Sequence, residues 1–371
     1  MSLISLFKKT YIPLNSIEVS ASALKHNYEY LHTSSGLAIA PVIKSNAYGH
    51  GLISAAKILD TFDAPFFCVD SIYEAYELLK AKIKTPILIM GYVSPQNLAI
   101  KRLPFSFAVS TKEMLGTLRK YQPDARIHIF IDTGIHREGI PIDEVSNLVK
   151  FLKTKNIPVE GLMGHFAASD NLSSLTQEQV LNFQRAQALF LAAGIQPKWI
   201  HHANASGVLN YKNYKGKIGN VARTGIALYG IDPERKNIHL QPALTFNSTL
   251  VQIKELPNGA SSGYDFTFTA KKLMKIGVVA AGYNDGVDRR LSNKGCTKIG
   301  DTYCPIIGRV SMNLTMIDIT GVKNPKVGDK VEIFSSNPKD KNSISAAALL
   351  CGTIPYDLLV KLTTSTKRII V

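Results

Sequence analysis

The sequence predicts an α/β fold: an N-terminal (β/α)8, TIM-like barrel followed by a C-terminal, mainly-β domain. Three observations carry this. Short apolar runs alternate with amphipathic stretches from about residue 38, these runs number eight, and near residue 245 the alternation stops. Strands alternating with helical patterns imply parallel βαβ units, and eight is the barrel count. An open doubly wound sheet is the alternative, but no G-x-G-x-x-G follows the first run.

In chain order the runs are IAPVIK (39–44), FFCVDS (66–71), PILIMGY (86–92), FSFAVS (105–110), RIHIFID (126–132), VEGLMGH (159–165), WIHHA (199–203) and VARTGIALYG (221–230). They are short, mostly rich in β-branched and aromatic residues, and bounded by turn residues, as strands are. Helical patterns lie between most of them, at 52–62, 71–83, 111–121, 143–155 and 175–194. Ser71 suits an N-cap, Thr176 with Gln179 three residues on reads as a capping box, and Gly194 reads as a C-terminal stop. Between the last two strands, VLNYKNYKGK (208–217) is tyrosine-rich and too short for a full helix.

Beyond residue 245 helical periods disappear. Strand-like runs at 246–253, 274–283, 303–310, 314–319 and 330–334 are separated by Gly, Asn, Asp and Pro, with one short helix at 344–353. The barrel pattern starts only near Ile17, so residues 1–15 are expected to join the C-terminal domain. The expected division is 16–245 for the barrel and 246–371 plus 1–15 for the β domain.

A length of 371 residues fits two domains or one large domain with an extension. The net charge of +15 admits an anionic partner such as nucleic acid, an anionic substrate, or a merely basic surface. The lysines and arginines are scattered as singles and pairs, with no basic block interleaved with aromatics, so a basic surface is the plainer reading and no nucleic-acid partner is expected. Cys68, Cys296, Cys304 and Cys351 form no C-x-x-C pair and flank no histidine at metal-ligand spacing, so free thiols and no metal site are expected. The N-terminal MSLISLFKKTY is too short in apolar residues for a signal-peptide core, and no run reaches transmembrane length. A cytoplasmic protein without a membrane partner is expected.

In a barrel the reactive groups sit at the C-terminal strand ends and in the loops after them. Strand one ends in Lys44, strand five in Asp132-Thr133-Gly134 with Arg137 beyond, and strand six in His165. Strand seven carries His201 and His202, then Asn204 and Ser206; strand eight carries Arg223, Thr224 and Gly225. A rim of lysine, histidines, arginines and hydroxyls without clustered carboxylates is wrong for a hard metal ion. It suits an anionic ligand and amine chemistry. Barrels often hold phosphate after strands seven and eight, and here those loops contain Ser206, Thr224, Gly225 and Ile226. A lysine opposite a phosphate site is what a pyridoxal phosphate enzyme requires. Singly, a strand-end lysine is most often a solvated rim residue and a strand-end histidine a structural group. Their convergence on one predicted rim raises the functional reading.

These segments resemble the alanine racemase family, of the fold-type III pyridoxal phosphate group. PVIKSNAYGHG resembles its lysine motif V-x-K-[AS]-N-A-Y-G-H-G, DTGIHREG its D-T-G-M-x-R-x-G, MGHFA its strand-six histidine segment, and VARTGIALYG its R-x-G-I-x-L-Y-G. In the last third SSGYDFTFTA, AAGYNDGVDR, GRVSMNLTMID and IPYDLLVKL match family segments in order and spacing.

The resemblance implies interconversion of L- and D-alanine, supplying D-alanine for peptidoglycan. The implied mechanism uses two bases on opposite faces of the cofactor: Lys44, which also forms the Schiff base, and Tyr264 from the second domain of the partner subunit in a homodimer. It further implies Tyr48, Tyr356, Ser206 and the backbone of Gly225 and Ile226 for the phosphate. Arg223 would face the pyridine nitrogen, and His165 with Arg223 would lend positive charge to Tyr264. Arg137 and the backbone of Met312 would bind the substrate carboxylate, and Tyr283 would lie near the mouth of the site. The alternatives are a racemase of broader or different specificity (serine, lysine, ornithine) and a non-catalytic pyridoxal phosphate-binding protein. The E-P-G-R motif of the related decarboxylases is absent.

Three departures stand out. Phe130 occupies the position of a family lysine that is carbamylated to fix the carboxylate-binding arginine, so looser carboxylate binding at Arg137 is expected. Ala205 stands where the phosphate serine is usual, and a small bulge could return the hydroxyl through Ser206. His136 replaces a small residue and is expected near the substrate.

Overall fold

A computed structural model describes residues 12–169, 173–210, 214, 216–234 and 236–371. The chain divides into two compact units, one spanning residues 22–241 and the other 242–371 together with the N-terminal segment up to Ala21. Residues 1–11, part of the segment expected to join the β domain, lie outside the described residues.

The strand at Ile17, β1 (Ser16–Val19), lies in the C-terminal sheet instead of opening the barrel. Helix α1 (Ala21–Ser35) follows it. The barrel strands are β2 (Ala38–Pro41), β3 (Phe67–Val69), β4 (Ile87–Ile89), β5 (Ser106–Val109), β6 (Arg126–Asp132), β7 (Gly161–Met163), β8 (Trp199–His201) and β9 (Val221–Thr224). From β3 to β8 they form one continuous parallel ladder, and β9 pairs parallel with β2. Bridges between Val42 and Cys68 and between Ala203 and Ala222 join the two pieces, so the order of eight closes on itself.

Period-two alternation decides what fills the interior. Ala40, Val42, Cys68, Leu88, Ala108, Phe130, Met163 and Val221 pack in one buried cluster, each from a different strand position of the same parity. Residues two further along most of those strands (Lys44, Asp132, His165, Arg223) therefore reach the C-terminal mouth. Helices α2 (Leu52–Leu59), α3 (Ile72–Lys80), α4 (Pro95–Ile100), α5 (Lys112–Tyr121), α6 (Val145–Thr154) and α7 (Ser174–Ala192) alternate with the strands. Ser71 caps α3 in a complete capping box with Glu74. The cap of α7 is Ser173, not Thr176; Thr176 bonds back to the Ala168 carbonyl (2.8 Å), and Gln179 turns inward. After β8 comes only the short α8 (Ala205–Leu209), and residues 211–213 and 215 of the VLNYKNYKGK run lie outside the described residues.

In the C-terminal unit, β10 (Leu244–Leu256) is a long strand with two register shifts, which let it serve successive partners. Besides a two-residue antiparallel ladder between Ser261–Ser262 and Phe268–Thr269, there follow β11 (Met274–Val279), β12 (Cys296–Ile299), β13 (Thr302–Pro305), β14 (Thr315–Asp318), β15 (Lys330–Phe334) and β16 (Lys367–Ile370). The main order is β13-β12-β15-β10-β1-β16, with β11 bridging β10 and β14. Helices α9 (Ile344–Cys351) and α10 (Pro355–Leu359) follow β15. All four cysteines are free. Among the described residues no helix is long and apolar enough to cross a membrane, and no group of His, Cys, Asp and Glu is arranged to hold a metal ion.

Candidate active site

Lys44 lies three residues past the end of the first barrel strand, just after Ile43, which donates its N–H to the Cys68 carbonyl (2.9 Å). The lysine Nζ lies 3.3 Å from Asp70 Oδ1. The four residues after it, Ser45 to Tyr48, all have φ between 51 and 56, a single left-handed turn that ends on Gly49 (φ 82). L-residues resist this conformation, so the turn needs partners. Glu74 Oε1 accepts the Ser45 N–H (2.6 Å), and Asn46 Oδ1 accepts the Leu52 N–H (2.8 Å). The turn brings Tyr48 against Gly225, where a Cβ would lie 2.5 Å from the phenol oxygen. Only glycine fits there.

The eighth run is a strand only as far as Thr224. Gly225 to Gly230 is a turn in which the Gly225 and Ile226 carbonyls accept the N–H groups of Leu228 and Tyr229 (2.9 and 3.1 Å). The first N–H groups of such a turn have no internal acceptor. Beside them the Thr224 hydroxyl is buried without a hydrogen-bond partner among the described residues. Ser206 lies inside α8, whose N-cap Asn204 accepts the Gly207 N–H (2.9 Å).

Arg223 is the buried centre of the site. Nη1 donates to His201 Nδ1 (2.7 Å) and to the His201 carbonyl (2.6 Å); Nη2 donates to the Gly164 carbonyl (2.6 Å) and to His165 Nδ1 (3.2 Å). A guanidinium has five N–H groups, so the Nε–H is the one without an acceptor among the described residues. Burial pulls the Arg223 pKa down to about 10, which still leaves it charged at neutral pH. Its neighbour His165 is pushed down to about 3, first by burial and then by the positive charges of Arg223, Arg137 and Lys44. His165 is therefore neutral, and the expectation that it lends positive charge to a tyrosine is corrected: a ring already surrounded by three cations does not take up a fourth charge.

Phe130 packs in the barrel core and offers Arg137 nothing polar. Arg137 instead pairs with Glu138 (3.0 Å), both half-exposed. Such a surface pair contributes about 0–1 kcal/mol and does not lock the guanidinium. His136 turns to the Asp132 carboxylate (3.1 Å), whose other oxygen accepts the backbone N–H groups of Gly134, Ile135 and His136.

Sequence reasoning missed several buried groups. Gln179 donates to the His165 carbonyl (3.1 Å) and accepts the Ala167 N–H (3.0 Å), holding the strand-six loop. His128 and Glu160 join the Arg223 network from below. The signal was present in RIHIFID, where His128 occupies the inward parity of a strand.

Tyr264, Tyr283 and Met312 all belong to the C-terminal unit. Tyr264 is 67% exposed on a single 3-10 turn. Gly263 before it abuts Gly308 and Arg309, while the N–H groups of Tyr283 and Asn284 donate to the Ser311 and Met312 carbonyls (both 2.9 Å). Tyr356 is the second residue of α10.

Comparison with known proteins agrees along the chain. Residues 19–233 match the family model "Alanine racemase, N-terminal domain", and residues 243–370 match "Alanine racemase, C-terminal domain". The alanine racemase of Lactobacillus acidophilus is 35% identical, covering 95% of this chain and 96% of that protein. That of Syntrophobacter fumaroxidans is 33% identical, covering 92% and 93%. Among solved structures, alanine racemase from Bacillus anthracis with bound L-Ala-P is 28% identical with a TM-score of 0.87, covering 98% of this chain and 96% of that one. The E. faecalis enzyme is 27% identical with a TM-score of 0.86, covering 96% and 98%. The chain belongs to the alanine racemase family.

Proposed function

We propose that this protein interconverts L- and D-alanine with pyridoxal phosphate, in a homodimer whose sites are shared between subunits. The observation that carries the reading is the meeting of strand-end groups at one mouth: Arg223 Nη2 donates to His165 Nδ1 (3.2 Å), and the charges of Arg137 and Lys44 also act on that buried ring. It makes the barrel mouth a cationic site for an anionic ligand, with one amine able to bind a carbonyl. The chain's residues fit the cofactor. The Gly225 turn, the Thr224 hydroxyl, which has no partner among the described residues, and the Tyr48 phenol would suit its phosphate, with Ser206 and Tyr356 as further contacts in this reading. The remaining Nε–H of Arg223 suits its ring nitrogen.

Pyridoxal phosphate, when bound, supplies an electron sink for the charge left on the α-carbon. Lys44 would hold it and serve as the base on one side, and Tyr264 of the partner subunit would serve on the other. Arg223 would hold the ring nitrogen as a donor that keeps its proton, which would weaken the sink and favour prompt return of the α-proton over transamination. Arg137 takes the substrate carboxylate in competition with Glu138, with the Met312 backbone as second contact and Tyr283 near the mouth. We place the barrel, 16–245 in the sequence reading, as the cofactor domain and the β domain as the source of the second base. D-Alanine supply to peptidoglycan and a cytoplasmic location belong to the same proposal.

The test is a racemisation assay over a panel of L-amino acids with added pyridoxal phosphate. Alanine is expected to turn over fastest. Lys44→Ala is expected to lose the visible absorbance of the bound cofactor and to cut the rate by at least about a thousandfold. Equal rates for serine, lysine and alanine, or full activity in Lys44→Ala, would sink the reading.

A further inference from the structure

Below the site, a chain of hydrogen bonds runs through the barrel interior toward the opposite face. Arg223 Nη1 meets His201 Nδ1 at 2.7 Å, and His201 Nε2 meets His128 Nδ1 at 2.7 Å. His128 Nε2 meets Glu160 Oε2 at 3.2 Å, and the same oxygen accepts the Ser106 hydroxyl at 2.8 Å. Glu160 precedes β7, at the N-terminal end of the barrel, and its other oxygen lies 3.8 Å from Arg126. Both imidazoles are fully buried, and the Phe66 ring packs on each (5.1 and 5.4 Å between centroids). Room for the His128 ring exists only because residue 161 is glycine: a Cβ there would lie 2.2 Å from His128 Nδ1.

The ends of this chain fix its direction. A guanidinium only donates and a carboxylate only accepts. His201 Nδ1 must therefore be bare, which puts its proton on Nε2, which requires His128 Nδ1 to be bare and its proton to sit on Nε2, facing Glu160. One arrangement satisfies every link. The reverse order would set an imidazole N–H against the Arg223 N–H and a bare His128 Nε2 against the Glu160 carboxylate, two acceptors with no proton between them. Both rings stay neutral: burial lowers the pKa of His128 and holds that of His201 well below the imidazole range. For Glu160, burial pushes upward, but the hydrogen bonds from His128 and Ser106 outweigh it and the carboxylate stays ionised.

We propose that Glu160 and His128 are positioning residues for Arg223: by fixing the tautomer of His201 they hold the guanidinium with its Nε–H directed at the cofactor. A carboxylate that sets the tautomer of an imidazole is an established device. Here it acts through two rings in series, and the group it orients is an arginine. The proposal rests on the pyridoxal phosphate reading of the site.

The test uses full-length protein labelled with nitrogen-15 in histidine, first without cofactor. Nitrogen shifts distinguish bare from protonated ring nitrogens. In the wild type His128 and His201 are expected to be neutral, each with its proton on Nε2; a proton on Nδ1 of either overturns the proposal. Glu160→Gln keeps the shape and removes the charge, and its amide can donate as well as accept. It is expected to admit the second tautomer. In the loaded enzyme it should lower kcat about tenfold with KM within about twofold, the scale of loss when a ligand's hydrogen-bond partner is removed. The share of turnovers diverted to transamination, read as pyruvate, should rise. His128→Gln cuts the carboxylate off from His201 and carries the same expectation if Glu160→Gln does not fold. A folded variant with unchanged tautomers and unchanged racemisation-to-transamination ratio overturns the proposal. Wild type that neither binds pyridoxal phosphate nor racemises alanine defeats the functional reading instead, and leaves the measurement on cofactor-free protein standing.

Discussion

Four histidines in the barrel unit, His128, His165, His201 and His202, are held below the ordinary imidazole pKa, in each case chiefly by burial. The unfolded chain titrates them near pH 6.5. Below that value the unfolded state takes up protons that the folded state refuses, so stability is full above it and falls as the pH drops toward the folded values. Between about pH 7.5 and pH 5.5, each ring whose folded pKa lies well below that window removes about 1.4 kcal/mol. His165, at about 3, is one such ring. Glu160 moderates the effect at His128 by favouring the charged ring. Denaturant midpoints of the barrel unit should therefore fall by several kcal/mol equivalent over this range. They should fall less in His165→Gln, which removes one of the rings from the count. A flat profile between those pH values would show that the rings are not held neutral.

At the scale of elements, the left-handed turn Ser45–Tyr48 is the most costly local feature of the site, at about 1–2 kcal/mol per residue for non-glycine positions. Glu74 is its main external tie. Its carboxylate accepts the N–H of Ser45 (2.6 Å) as well as those of Asp70 (2.9 Å) and Ser71 (3.4 Å), so one side chain both caps α3 and secures the lysine loop. Glu74→Ala should cost about 1–3 kcal/mol, because it strips an acceptor from the Ser45 N–H. It should also speed amide hydrogen exchange at Ser45 more than at residues elsewhere in α3. Equal acceleration along the whole helix would mean that only the cap had been lost. This double duty also marks the limit of reading the sequence. The eight strands were legible because interior parity and β-branched content agree along each run. The capping box at Ser71 was legible because its spacing is local. The second partner of Glu74 lies 29 residues away, and no local pattern announces it. Helix α1 escaped notice for a related reason. Its inward face carries Asn27, buried and bonded to the Leu228 and Gln241 carbonyls, which breaks the apolar period. Strand β1 looked like a barrel strand, yet it pairs with β10 and β16, which lie more than two hundred residues away. The placement of Lys44, Arg137, His165 and Arg223 at strand ends was legible in the sequence. That His165 is neutral was not, since charge state depends on what else converges on the mouth.

For the whole molecule, the decisive question is which chain supplies the second base. Lys44 belongs to the barrel unit and Tyr264 to the C-terminal unit, where its ring is 67% exposed. A phenol left that open in one chain is available to another, and the proposal assigns it to the partner's site. Mixing two inactive variants decides the matter. In a Lys44→Ala homodimer every site lacks the lysine; in a Tyr264→Phe homodimer every site lacks the phenol. If sites are shared, a mixed dimer has one doubly deficient site and one in which both wild-type groups meet. Random reassociation makes half of the dimers mixed, each with one intact site of two, so activity should recover to about a quarter of wild type. If instead each chain uses its own tyrosine, every site in every dimer lacks one group, and no activity returns. Sedimentation of the mixture, run alongside, should show dimers throughout, and dilution below the dissociation constant should abolish the recovered activity in step with the dimer. Activity that persists in monomers would place both bases in one chain and remove the reason for the exposed Tyr264.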